Sequence, residues 1–198
     1  MKKTLKIILL TVIFILNLIL LINSAACSSP KANQDINPVD AVRAVMEKLE
    51  ISPDDVGALF YSEGDEDHIY DDILLKIMFP PDRSTGGDIA YTMDLFEQYA
   101  IIQFTKAKPV MFEIAVFKVS QGETENNMLY RNKLGKIETM CKERAARLKK
   151  TALEYSPELA FAAERANVYI FDNYIYYIIA EDYMAAYSAI KSELTAKN

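Results

Sequence analysis

Ile7 to Ile22 narrows the options of this chain more than any other segment: sixteen residues, apolar but for Thr11 and Asn17. Lys2, Lys3 and Lys6 precede it, no acid occurs before Cys27, and Asn23-Ser24-Ala25-Ala26 leads into that cysteine. Basic, then apolar, then small is the order of an export signal. The translocon accepts a short apolar helix, and the peptidase needs small side chains where it cuts. The fold must therefore be built from the residues after Cys27.

Ala25, Ala26 and Cys27 resemble the lipobox of bacterial lipoproteins, with Ser24 where leucine is usual. In that motif the cysteine thiol is diacylated and becomes the new N-terminus. Two other readings stand beside it. One is an uncleaved anchor, although a spanning helix usually needs about 20 apolar residues. The other is an ordinary secretory signal in which Cys27 is incidental. All three place the domain outside the cytoplasm. The expectation is a signal peptide over 1–26, then a polar tether over 27–37 that ties the protein to the extracytoplasmic face of the cell membrane through a lipid on Cys27.

The signal holds three of the 22 basic residues and none of the 28 acids, so the remainder carries a net charge of −9. A general electrostatic attraction for nucleic acid or anionic lipid needs clustered Lys and Arg, and this balance argues against it. There are only two cysteines. With Cys27 acylated, Cys141 has no partner. It falls in helical step with Leu134, Ile137, Ala145 and Leu148, which reads as a small core residue.

Asn37-Pro38 reads as an N-cap followed by proline at the first helical position, and Val39, Val42, Val45, Met46 and Leu49 continue at helical spacing. Ile69, Ile73, Leu74, Ile77 and Met78 suggest a second short helix that must stop before Pro80-Pro81. Residues 38–96 are thus expected to be a helical N-terminal segment. From 97 onward the period changes. Ala100, Ile102 and Phe104 alternate, and Met111 to Val119 is the strongest strand, so the two make a hairpin. A long helix from about Thr124 to Tyr155 comes next, then a short helix after Ser156-Pro157. Asn167 to Phe171 and Tyr174 to Ala180 form a second hairpin around Asp172-Asn173. The last helix starts at Glu181-Asp182, with Tyr183, Ala186, Tyr187, Ile190 and Leu194 inward. The expected fold over 97–198 is α+β: a four-stranded antiparallel sheet in the order β-β-α-α-β-β-α, with helices on one face.

The ordered set of Glu113-Ile114-Ala115-Val116-Phe117-Lys118-Val119, a long basic helix, Asn173-Tyr174-Ile175-Tyr176-Tyr177-Ile178-Ile179 and an acid-started final helix resembles the DUF4358 family of bacterial lipoproteins. The resemblance spans roughly the last hundred residues, the size of a small domain. It implies the lipoprotein address and the fold, and it brings no activity or catalytic residue.

Catalytic signatures are lacking in the sequence: no Gly-x-Ser-x-Gly, no phosphate-binding glycine loop, no His-Glu-x-x-His and no Cys-x-x-Cys. His68 is the one histidine. It lies in an acidic run where Asp65, Asp67 and His68 are the candidate metal ligands, because hard cations want converging carboxylates and imidazole adds a transition-metal donor. The blander reading of that run is a solvated loop. The sharper candidate is aromatic. With Asp172-Asn173 as the turn, Tyr169, Phe171, Tyr174 and Tyr176 share one sheet face, continued by Phe117 and Tyr99, and such rings suit recognition. Against this stands burial of that face under the N-terminal helices.

The expected function is a non-enzymatic binding or accessory domain at the cell envelope, with an envelope protein or cell-wall partner, no cofactor and no nucleic acid. The alternatives are a small solute- or metal-ion-capturing lipoprotein and, more weakly, an envelope hydrolase.

Overall fold

The computed structural model describes residues 32–33, 36–52, 56–61, 77–80, 95–104, 113–119, 128–155 and 157–196. In chain order these contain α1 (Pro38–Lys48), β1 (Val56–Tyr61), β2 (Gln98–Phe104), β3 (Glu113–Lys118), α2 (Met128–Tyr155), α3 (Pro157–Glu164), β4 (Asn167–Phe171), β5 (Tyr174–Ile179) and α4 (Tyr183–Thr195).

The class is α+β, and the two hairpins expected from sequence form one antiparallel sheet. β2 and β3 pair from Gln98↔Lys118 to Gln103↔Glu113. β4 and β5 pair from Asn167↔Ile178 to Phe171↔Tyr174, leaving Asp172 and Asn173 as a two-residue turn. Asp172 adopts φ 56°, a left-handed conformation that Asp tolerates better than most residues. β3 lies against β5, from Glu113↔Ile179 to Lys118↔Tyr174, and joins the hairpins.

Two features depart from the expectation. A fifth strand, β1, pairs with β2 and extends the sheet to the order β1-β2-β3-β5-β4. Its register shifts between Val56 and Ala58, around Gly57. Residues 38–96 are therefore not wholly helical. Helices also cover both faces of the sheet. On one side Ile101, Ala115, Phe117, Ile175, Tyr177 and Ile179 pack with Ile137, Met140 and Cys141 of α2 and Ala160 and Ala163 of α3. On the other, Ala100, Ile102, Ile114, Val116, Tyr174, Tyr176 and Ile178 pack with Val42 and Val45 of α1 and Ala186, Ile190 and Leu194 of α4. The physical reason is composition. Every residue of β3 and β5 is buried, so a single helical layer would leave half of these side chains in water. Each buried Ile or Val contributes about 2 kcal/mol through removal of apolar surface.

The helices begin and end for local reasons. Asn37 caps α1, its Oδ1 accepting from the Val39 amide at 3.0 Å, with Pro38 at the first helical position. The same helix closes on a Schellman turn: the Glu50 amide donates to Glu47 O at 3.1 Å and the Ile51 amide to Met46 O at 2.8 Å, with Glu50 at φ 53°. Asp182 Oδ1 accepts from the Ala185 amide at 3.1 Å and starts α4. The 28-residue α2 buries Ile137, Met140, Cys141, Ala145 and Ala152 along one stripe and turns Lys136, Lys142 and Lys150 to solvent. Among the described residues no helix is long and apolar enough to cross a membrane. Residues 77–80 are held to α2 through Arg144 and Arg147, and Phe79 is buried edge-on to Phe117 of β3 at 5.9 Å between ring centroids.

The chain also joins the fold earlier than a tether reaching Asn37 implies. Ala32 and Ile36 are buried in the α1–α4 core, and the Asn33 amide donates to Leu194 O at 2.7 Å. The Asn33 side-chain amide donates to Ala196 O at 2.9 Å.

Candidate functional site

Tyr169, Phe171, Tyr174 and Tyr176 do share one face, as the two-residue turn requires. That face is not open. Tyr174 and Tyr176 are buried and Tyr169 and Phe171 half-buried in the core beneath α1 and α4. An exposed aromatic binding face at these residues is thereby corrected to a second core. Its proposed extension is corrected as well. Phe117 pairs with Ile175 and Tyr99 with Phe117, so both rings belong to the α2 face. Directly opposed residues of an antiparallel pair point to the same side, and Tyr176 opposes Val116 rather than Phe117.

What remains near the surface is a cluster of four tyrosines. Tyr169 stacks on Tyr176 with centroids 5.2 Å apart, and Tyr187 of α4 lies 5.0 Å from Tyr169. Tyr183 stacks beside Tyr187 at 6.4 Å, and Lys191 Nζ sits 5.7 Å from the Tyr187 ring. Burial, followed by the neighbouring phenols of Tyr187 and Tyr169, raises the Tyr176 pKa. The cluster closes the free side of β4 onto α4, and its rings serve packing.

The densest polar group in the described structure is not among the candidates legible in the sequence. Glu113, on β3, is buried among apolar residues of the α2 face. Arg144 of α2 grips it with two bonds, Nε to Oε1 at 2.8 Å and Nη2 to Oε2 at 2.6 Å. Tyr177 Oη donates to Oε1 and Gln103 Nε2 donates to Oε2 at 2.6 Å. Arg144 Nη1 also donates to Met78 O at 3.3 Å, and Arg147 Nη1 to Pro80 O at 3.0 Å. One carboxylate thus ties together β2, β3, β5, α2 and residues 77–80. Burial works against the Arg144 charge, but the hydrogen bond and charge of Glu113 outweigh it and raise its pKa. Tyr177 is held protonated by burial and then by Glu113, with Arg144 opposing. Burial, then the charges of Glu113 and Glu138, pushes the Cys141 thiol well up, so it stays protonated and unreactive. Each oxygen of the Glu113 carboxylate thus accepts two hydrogen bonds from within the network.

No protein-family model, curated protein or solved structure matches this chain. The likeness to DUF4358 rests on the sequence of β3, α2, β5 and α4 alone.

Cys27, Asp65, Asp67 and His68 lie outside the described residues. Within the described residues no group of three or more His, Cys, Asp or Glu is placed to hold a metal ion. A basic concave surface lies on the N-terminal half of α2. There Arg131, Lys133 and Lys136 line an open groove of about 530 Å³ with Leu129 and Leu95. Gly135 is among its lining residues, and a Cβ there would meet nothing within 4 Å. This basic, partly apolar groove has the charge to suit an anionic partner. The net acidity of the chain hides it, because acids are crowded into the segment from Asp54 to Asp94. The signal is nonetheless present as eight basic and three acidic residues between Met128 and Tyr155.

Proposed function

We propose that the chain is an exported lipoprotein, anchored through Cys27 to the outer face of the cell membrane, whose α+β domain acts as a non-enzymatic binding or accessory module in the envelope. One observation carries this reading. Among the described residues the contacts of the fold begin at Ala32, five positions after Cys27, and Ala32–Asn198 forms one compact unit, so cleavage before Cys27 would leave that unit entire. The chemistry of the interior supports the non-enzymatic part: the Glu113 carboxylate is saturated by Arg144, Tyr177 and Gln103, and the second thiol is buried.

Metabolic labelling with an alkyne analogue of palmitate tests the anchor. The wild-type chain takes up label and fractionates with membranes, and Cys27→Ser takes up none, since Cys141 offers no accessible thiol. An inhibitor of the lipoprotein signal peptidase accumulates the longer precursor. Unlabelled wild-type protein released into the medium would refute the reading.

A further inference from the structure

We infer that the end of the domain carrying the Asp172–Asn173 turn faces the bilayer, with the first turns of α2 resting on anionic lipid headgroups; this rests on the lipid anchor at Cys27. Four residues lie between Cys27 and Ala32, the first described residue packed into the fold, so the five Cα steps reach at most about 18 Å when fully extended. Asn33 is fixed to the end of α4 through Leu194 O and Ala196 O. The Tyr174 hydroxyl lies 2.9 Å from Asn33 O and 2.7 Å from Ile36 O, sharing its hydrogen bond between them. Tyr174 is the residue immediately after the turn, so the chain enters at the turn end of the sheet.

The opposite face brings α2 to the same end. Tyr130 Oη donates to Asp172 O at 3.3 Å, which sets the first turn of α2 against the same turn. That part of α2 presents Met128 and Leu129, 76% and 68% exposed, beside Arg131, Lys133 and Lys136. Apolar tips that dip into the headgroup layer, flanked by cations that meet phosphate, are the composition of an interfacial helix surface. Each Lys or Arg adds a small attraction to an anionic leaflet, lost as salt rises. The short leash supplies what this weak attraction lacks. It holds the surface at high local concentration against the bilayer.

The test uses the full acylated chain in vesicles of phosphatidylethanolamine with about one-third phosphatidylglycerol, enough anionic lipid to set a negative surface potential. A bimane label is placed at Asn132→Cys in one protein and at Phe161→Cys, on α3, in another. Both positions are exposed. Cys27 is blocked by its acyl chains and Cys141 is buried, so neither competes. Brominated lipid then quenches the label at 132 and leaves that at 161 unchanged, and Lys133→Glu with Lys136→Glu abolishes the difference. Equal quenching at both positions, or none, in a chain shown to carry its acyl group would overturn the inference and leave the anchor standing. Shielding of position 132 in native envelopes by a crosslinkable protein, without quenching by lipid, would overturn it in favour of a protein partner. No acyl group on Cys27 would refute the proposed function, and this inference with it.

Discussion

Removing the Arg144 guanidinium would leave the Glu113 carboxylate to Tyr177 and Gln103, in a core that strips away most of its water. Breaking one side of a buried ion pair destabilises far more than the intact pair stabilises. Arg144→Met is expected to cost about 3 kcal/mol in urea unfolding, the low end for such pairs because the Arg144 side chain keeps 16% exposure. Replacing Glu113 with Gln in the same background should recover part of the loss, and a double-mutant cycle would read the coupling. A second expectation concerns alkaline pH. Cys141, Tyr176 and Tyr177 all have raised pKa values in the fold, so above about pH 9 to 10 the unfolded chain releases protons that the folded chain retains. Stability is then full at neutral pH and falls as pH rises, by about 1.4 kcal/mol per pH unit for each group. Unfolding series between pH 8 and 11, beside Tyr176→Phe with its shallower slope, would check this. At this scale the sequence was half legible. Cys141 fell into place from its spacing with Ile137 and Ala145. Arg144, 31 residues beyond Glu113, did not, and the one hint was an acid alone in an apolar strand.

Caps and turns were the most readable elements, because their chemistry is local. Asn37-Pro38, Asp182 and the Asp172-Asn173 turn all act as their residue types require. Glu50 is the exception that invites a change. It occupies the left-handed position after α1, where glycine is usual, and Glu50→Gly should raise stability by about 1 kcal/mol without altering the packing of Met46 and Ile51. Differential scanning calorimetry would record the higher Tm. β1 was missed because Val-Gly-Ala-Leu-Phe-Tyr lacks alternation, Gly57 reads as a breaker, and Ser52-Pro53-Asp54-Asp55 before it reads equally well as the start of a helical turn. The two-sided burial had a signal that the period-two reading discounts: Tyr174 to Ile179 contains no charged residue on either face, the mark of a strand covered on both sides.

For the molecule as a whole, the segment before α1 is a structural strap as well as a connection. A chain beginning at Asn37 would lose the buried Ala32 and Ile36 and take two carbonyl acceptors from the Tyr174 hydroxyl. Against a chain beginning at Ser28, it should be destabilised by about 3 kcal/mol, combining one apolar side chain and one weakened buried hydroxyl. Paired urea titrations of the two would measure this. The sequence could not reveal that strap, since Ala-Asn-Gln-Asp-Ile-Asn reads as polar linker until Leu194 and Tyr174 are brought to it by the fold. The position of β3 and β5 has one more consequence. They are two of the three inner strands of a five-stranded sheet, flanked on each edge by another strand and on each face by helices. Their amides have no route to solvent short of opening the entire domain. In deuterated water Ile114, Val116, Ile175 and Tyr177 should keep their protons longest, exchanging at the rate set by global unfolding. The outer strands β1 and β4 should exchange far sooner, so opening of the sheet begins at its margins and leaves its centre still.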